Sequence, residues 1–366
     1  MKDFLPLDEP LLGETEQTYL TDCIQSGWLS WQGKYVQELE NKFAQYCGCQ
    51  HASSLCNGST ALLVALRALG IGPGDEVIVP TLTFSATAFA VSLAQATVRF
   101  VDCAPHSMTL DPVAFEQCIG PRTRAVIPVH LYGYPADMKS ICTIAHAHRI
   151  KVIEDVAEAV GAEYHGQRVG SFGDVGCFSF HNKLMASGEG GMITTQSTSL
   201  AERVNLLKTP APENRTEFAE ISFNYRLSNL HCAVALAQLE RLEEVVAKKQ
   251  RMAQLYSESF ANIPGIQILP TRENARTVFW RYSIFVTPEF PLTRDQLVEK
   301  LREQGYQARA IFQPLHRHPY YHKYAHETYP VAEDLSARGL DIPSSPKLTE
   351  KQILGITNYI AKLGSR

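Results

Sequence analysis

Along the first two-thirds of the chain, apolar residues fall in short runs with no polar face, separated by stretches of helical periodicity. The runs "EVIVP" (76–80), "TVRFVD" (97–102), "AVIPVHL" (125–131), "KVIED" (151–155), "VGCFSF" (175–180) and "GMITT" (191–195) predict strands. Between them, "STALLVALRAL" (59–69) and "SATAFAVSLAQ" (85–95) predict helices. Strands apolar on both faces, alternating with helices, predict an α/β fold with a mostly parallel sheet covered by helices.

The pattern changes after Asn229. Residues 230–263 predict a long helical region broken once, apolar at helical spacing and then charged on one face. The remainder mixes a strand, "VFWRYSIFV" (278–286), with a helix, "TRDQLVEKLREQG" (293–305), and predicts a smaller α+β lobe. A chain of 366 residues exceeds what one compact core usually holds. A large domain over 1–245, with its N-terminal segment, and a small C-terminal domain over 246–366 are therefore expected. No internal repeat or low-complexity segment is evident.

Composition narrows the function classes. The net charge of −4 offers no basic surface for nucleic acid, and no Lys/Arg run suggests an anionic membrane. No stretch of about 18 apolar residues predicts a membrane span, and "MKDFLPLDEPLLGE" has no long apolar core of a signal peptide. The nine cysteines show no zinc spacing; Cys47 and Cys49 are the only close pair. Free thiols in a reducing cytoplasm, and no metal site, are expected.

Three stretches carry chemistry. In "SSLCNGSTALLVALRAL" a strand-like segment ends at Asn57-Gly58, and Ser59-Thr60 open a helix whose free N–H groups suit a phosphate; an ordinary Ser/Thr N-cap explains the same residues. In "VIEDVAEA", Glu154-Asp155 end a buried strand, where ligands bind in open α/β sheets. A carboxylate there needs a cationic partner, such as a protonated ring nitrogen, unless it simply caps the next helix. In "FSFHNKLMASGEGG", Lys183 lies between a strand and a turn whose Gly188, Gly190 and Gly191 allow tight backbone paths. A desolvated lysine there can form a Schiff base with an aldehyde. His181 cannot, and is read as a polar residue at a strand end. Phosphate cup, buried acid and lysine together match the needs of pyridoxal 5′-phosphate (PLP).

With these motifs the chain resembles the DegT/StrS-type nucleotide-sugar aminotransferases, fold-type I PLP enzymes. The resemblance runs nearly end to end, through "GWLSWQGKYVQELENKFAQY", "CNGSTALLVALRALGIGPGDEVIVPTLTFSATAFAV", "AVIPVHLYGYPADM", "VIEDVAEAVGAEYHGQRVGSFGDVGCFSF", "GEGGMITT" and "FNYRLSNLHCAVALAQLERL". It implies a seven-stranded-type sheet and a small C-terminal α+β domain. Within the family the pattern is closest to enzymes of the perosamine synthase type, which aminate C4 of a GDP-4-keto-6-deoxy hexose. The implied amino donor is glutamate.

The resemblance assigns roles by position. Lys183 matches the Schiff-base lysine and proton shuttle. Asp155 matches the pyridinium partner, and Phe84 the aromatic that stacks on the cofactor ring. Gly58, Ser59 and Ser179 match phosphate contacts, and Glu158 the group near the ring hydroxyl. Asn224 matches an asparagine reaching the phosphate from a neighbouring subunit, which implies a homodimer. Trp28, Trp31 and Lys34 are candidates for nucleotide or sugar contact, with an aromatic plug at the subunit interface as the alternative. His316, in "IFQPLHRHPYYHKY" (311–324), is a candidate for the nucleotide-sugar groove, or one of a surface histidine cluster. A lysine rather than a histidine at 183 argues for amino transfer over dehydration.

Three features depart from the family pattern. The link from "FSF" to Lys183 is one residue shorter than in many relatives, which puts the Ser179 contact in question. The segment "LLKTPAPENRTEFAEI" (206–221) replaces an arginine- and glycine-containing loop. Val156 stands where alanine is common, with little expected effect. Other acceptors, such as a TDP- or UDP-linked sugar or a keto-cyclitol, and a non-catalytic PLP-binding sensor remain as alternatives.

Overall fold

The computed structural model describes residues 4–209, 221–324 and 328–365. Most of the altered 206–221 segment lies outside the described residues.

The large sheet comprises β1 (His51–Leu55), β2 (Glu76–Pro80), β3 (Thr97–Val101), β4 (Thr123–Val126), β5 (Lys151–Asp155), β6 (Val175–Ser179) and β7 (Gly191–Thr195). Its spatial order is β1-β7-β6-β5-β4-β2-β3. β7 is antiparallel to both neighbours and the remaining pairs are parallel.

Alternation along each strand feeds two separate cores. Val77, Val79, Phe100 and Ile153 join the larger one, whereas Ile78, Val101, Val126 and Val152 join the other. This is why the strand sequences lack a polar face. Helices α1 (Glu14–Ser26), α2 (Lys34–Cys47), α3 (Gly58–Ala68), α4 (Ala86–Leu93), α5 (Pro112–Cys118), α6 (Met138–His148) and α7 (Thr198–Lys208) surround the sheet. α3 and α4 contribute to the larger core, and α5 and α6 to the opposite one.

The expected strand at 125–131 is shorter than the apolar run. Pro128 has no N–H to donate, so regular pairing ends at Val126. Pairing with β5 resumes irregularly: Asp155 N donates to Pro128 O at 2.9 Å and His130 N to Asp155 O at 3.0 Å. The long helical region is broken at Arg241 (φ −113°, ψ 10°) into α8 (Asn229–Glu240) and α9 (Leu242–Phe260).

The second lobe is an antiparallel sheet of β8 (Ile266–Gln267), β9 (Tyr282–Val286), β10 (Arg309–Ala310) and β11 (Gly339–Ile342), in the order β8-β9-β11-β10. Its core includes Met252 and Tyr256 of α9, Leu297 and Leu301 of α10 (Arg294–Glu303), and, beyond α11 (Pro330–Arg338), Ile356 and Ile360 of α12 (Glu350–Gly364). Leu5, from the start of the chain, belongs to this core and bridges to Tyr306.

Residues 275–276 pair with 163–164 of the large lobe, and Val278 N donates to Gly133 O at 3.1 Å. Gly133 (φ +93°) is required there, because a Cβ would stand 2.8 Å from Phe279 N. This crossing carries Trp280 and Arg281 to the carboxyl ends of the large sheet. Regular strand begins only at Tyr282, since Phe279 sits at φ 49°. Among the described residues no helix is long and apolar enough to cross a membrane, and no group of His, Cys, Asp and Glu forms a candidate metal cluster. Cys47 and Cys49 are free thiols.

Candidate active site

A cavity of about 520 Å³ opens at the carboxyl ends of β2, β5 and β6. Gly58, Ser59, Phe84, Asp155, Glu158, Ser179 and Lys183 all line it. Seven residues picked from separate motifs therefore meet in one place.

One end of the cavity is the start of α3. Asn57 caps the helix, its Oδ1 accepting from Thr60 N at 2.9 Å. The side-chain cap reaches only that third amide. The N–H groups of Gly58 and Ser59 have no acceptor among the described residues, so the helix start presents two free donors beside the Ser59 and Ser179 side chains. Gly58 is needed for packing: a Cβ there would lie 2.7 Å from Ser179 Cβ.

β5 sorts its two acids by alternation. Glu154 turns away from the cavity and is fully buried. Its carboxylate accepts from the amides of Gly170, Phe172 and Gly173 at 2.7–2.8 Å and faces His130 Nε2 at 3.2 Å. It is internally satisfied and ties the 170–173 turn to the strand. Asp155 faces the cavity. Its Oδ2 accepts from Thr87 Oγ1 at 2.8 Å and its Oδ1 from Ala157 N at 3.1 Å. No cation pairs with it among the described residues, and burial raises its pKa above the ordinary carboxylate value.

Lys183 follows a left-handed residue, Asn182 (φ 39°), and Ser179 lies on the cavity wall. Lys183 Nζ is 3.3 Å from Glu158 Oε1 and 3.4 Å from the Trp280 ring centroid. Burial lowers its pKa, while Glu158 opposes the shift. Glu158 is held by Tyr132 N, which donates to its Oε2 at 2.9 Å. Gly188 (φ +84°) and Gly190 (φ +135°) form the turn that follows. Phe84 is an apolar ring left 54% exposed at the cavity, 5.8 Å from Phe312 between centroids. His181 lies exposed at the rim. Val156 is in the core, and its neighbour Ala157 lines the cavity instead.

The other candidates stand elsewhere in this chain. Asn224 is exposed and accepts from Arg226 Nε at 2.8 Å. Trp28 and Trp31 line a separate depression with Arg226, whose guanidinium stacks 4.3 Å from the Trp31 centroid. Lys34 is exposed and pairs with Asp22 at 2.9 Å. His316 is buried beneath β2: its Nδ1 is 2.7 Å from Thr81 Oγ1 and its Nε2 2.9 Å from Glu333 Oε1. Both ring nitrogens are taken, so in this chain it braces the second lobe against the large one instead of facing the cavity.

Sequence reasoning missed Trp280, Arg281 and Arg309 of the second lobe, and in the 311–324 segment it singled out His316, whereas Phe312 is the residue on the wall. An available signal was Arg281, a charge inside the apolar run "VFWRYSIFV".

A family model, the DegT/DnrJ/EryC1/StrS aminotransferase family, matches residues 10–361. The chain belongs to this family. Its relatives include a GDP-perosamine synthase of Caulobacter vibrioides, 42% identical over 348 residues and covering 94% of each chain. The GDP-perosamine synthase of Escherichia coli O157:H7 is 37% identical and covers 98% of each. Among solved structures, S. venezuelae DesV in complex with a ketimine intermediate superposes with a TM-score of 0.94 at 32% identity, over 99% of each chain. The protein is thus a PLP-dependent sugar aminotransferase of fold type I. The DegT-type cavity fits that cofactor on its own terms. It offers a helix start with free amides, an exposed aromatic face, a buried carboxylate lacking a cation, and an amine with a depressed pKa.

Proposed function

We propose that the enzyme transfers an amino group from glutamate to C4 of a GDP-4-keto-6-deoxy hexose. The observation that carries the reaction type is the convergence of Lys183, Asp155 and the α3 start on one cavity. The substrate class is supported by near full-length similarity to GDP-perosamine synthases.

The α3 amides, with the Ser59 and Ser179 hydroxyls, hold the cofactor phosphate, and Phe84 covers its ring. Asp155 keeps a proton on the ring nitrogen. When bound, PLP supplies an electron sink for charge on the reacting carbon. Lys183 anchors the cofactor and then acts as base: its neutral Nζ accepts the proton leaving the donor's α-carbon. In the second half-reaction the same atom delivers a proton to the sugar carbon that receives nitrogen. Glu158 orients Nζ and steadies it while protonated. Asn224, which does not line the cavity of its own chain, serves a second copy's phosphate site. This reading makes the working unit a homodimer and puts Trp28, Trp31 and Lys34 near the partner's substrate.

The test is an absorbance spectrum of the PLP-loaded enzyme before and after glutamate, beside Lys183→Ala, with GDP-4-keto-6-deoxy hexose as acceptor. Borohydride should fix the cofactor to Lys183 in the wild type only. Glutamate should convert bound PLP to the pyridoxamine form, and the acceptor should restore it. If glutamate leaves the spectrum unchanged, the donor assignment fails. Restoration by TDP- or UDP-sugars alone would reassign the acceptor.

A further inference from the structure

Threonines inside a helix tend to turn their hydroxyls back on it. Thr18, Thr21 and Thr143 do so here, each donating to the carbonyl four residues earlier at 2.8, 2.8 and 2.7 Å. Thr87, in α4, does otherwise. Its Oγ1 crosses to β5 and donates to Asp155 Oδ2 at 2.8 Å. Both side chains are buried, Thr87 at 1% exposure and Asp155 at 5%.

The directions of these hydrogen bonds follow from the donors present. An ionised carboxylate only accepts, so the Thr87 proton lies toward Asp155. Thr83 Oγ1 is 3.3 Å from Thr87 Oγ1 and, with the Thr87 proton committed, is the donor of that pair. Two hydroxyls in line thus aim their protons at Oδ2. On Oδ1 the donor is the backbone N–H of Ala157, at 3.1 Å, which cannot reverse. Every one of these bonds favours the charged carboxylate, and burial alone favours the neutral acid. Thr83 and Phe84, just before α4, line the cavity, so one short segment presents both the aromatic ring and the hydroxyls that hold the acid.

We propose that Thr87 is a positioning residue: through Asp155 it decides where the ring proton of the bound cofactor rests. This deepens the reading above, in which Asp155 faces the ring nitrogen, and rests on it. One proton is shared between that nitrogen and the carboxyl group. With Thr87 and Ala157 both donating, the carboxylate keeps its charge and the proton stays on nitrogen, where it draws electrons from the reacting carbon. With Ala157 alone, burial favours the neutral acid, and the proton passes to the carboxyl oxygen that has lost its donor. A hydroxyl spent on its own helix, as in Thr143, would have no such effect.

The test binds PLP labelled with nitrogen-15 in its ring to the wild type, to Thr87→Val, which keeps the shape without the donor, to Thr87→Ser, which keeps the donor, and to Asp155→Asn. The nitrogen NMR shift reports whether the ring is protonated. The wild type and Thr87→Ser should show the protonated shift. Thr87→Val should move toward the unprotonated one, with kcat lowered about 10- to 100-fold and KM for glutamate changed less than about threefold. A Thr87→Val enzyme that is slow but keeps the wild-type nitrogen shift has lost packing alone, and overturns the proposal. A Thr87→Ser shift that matches Thr87→Val overturns it too. Should Thr87→Val not fold, Thr83→Val, which removes the donor behind Thr87, should move the signal less but in the same direction; an unmoved signal there counts against the relay and overturns the proposal. If Asp155→Asn itself leaves the signal in place, the Asp155 assignment falls and takes this inference with it. If Asp155→Asn moves the signal and Thr87→Val does not, the assignment stands and only the role of Thr87 is lost.

Discussion

Gly58→Ala adds one methyl group where the start of α3 meets the end of β6. The new Cβ would stand 2.7 Å from Ser179 Cβ and 3.3 Å from Phe178 O. Ordinary contact begins near 3.4 Å, so helix and strand must part by about 0.7 Å. Neither obstructing atom is the end of a flexible chain; one is a Cβ fixed to β6 and the other is backbone. Two effects compete. Alanine improves helix propensity by about 0.5–1 kcal/mol over glycine. Overpacking a close-packed site costs about 1–3 kcal/mol. Overpacking should win, with a net loss of about 1–2 kcal/mol in the cofactor-free chain. Because the displaced atoms are those that frame the phosphate cup, PLP affinity should fall at least tenfold as well. Urea midpoints and equilibrium dialysis of PLP measure the two effects. Gly72→Ala is the control, since its Cβ would meet nothing nearer than Ala94 O at 3.8 Å and should cost nothing. A Gly58→Ala protein with wild-type midpoint and affinity would refute both the packing argument and the phosphate assignment.

Two further outcomes follow from the cavity's charges. Asp155→Asn keeps an oxygen for Thr87 or Ala157 but removes the charge opposite the ring nitrogen, so kcat at saturating PLP should fall about 100- to 1000-fold; a loss under tenfold would sink that role. Burial holds the folded-state pKa of Lys183 below its ordinary 10.5, so just below pH 10.5 the unfolded chain binds more protons and the stability contributed by Lys183 rises with pH. The stability advantage of Lys183→Met over the wild type, measured by urea unfolding of the cofactor-free proteins, should therefore be greatest at neutral pH and shrink as pH rises toward that value; a constant or growing difference contradicts the buried-amine reading.

What the sequence revealed and what it hid have a common cause. Strands buried on both faces announce themselves, and "EVIVP", "KVIED" and "GMITT" coincide with strands residue for residue. Local motifs at strand ends were legible because the α/β topology gathers carboxyl ends of strands along one edge, whatever their order in the chain. That is why Ser59, Phe84, Asp155 and Lys183 converge. Strand periodicity also separates Glu154 from Asp155, although identity alone made them look equivalent. What stayed hidden depends on contacts between lobes. "VFWRYSIFV" has the composition of a core strand, yet only Tyr282–Val286 pairs as one. The preceding residues are drawn out of register by the crossing past Gly133, and this turns Trp280 and Arg281 into the cavity. His316 shows the same dependence: in this chain its two ring nitrogens meet Thr81, far off in the sequence, and Glu333 of α11. In both cases the deciding partner lies on another element, where no local pattern can report it. A charged residue inside an apolar run is the exception: burying a guanidinium demands a partner, so Arg281 flags a long-range contact before the partner is known.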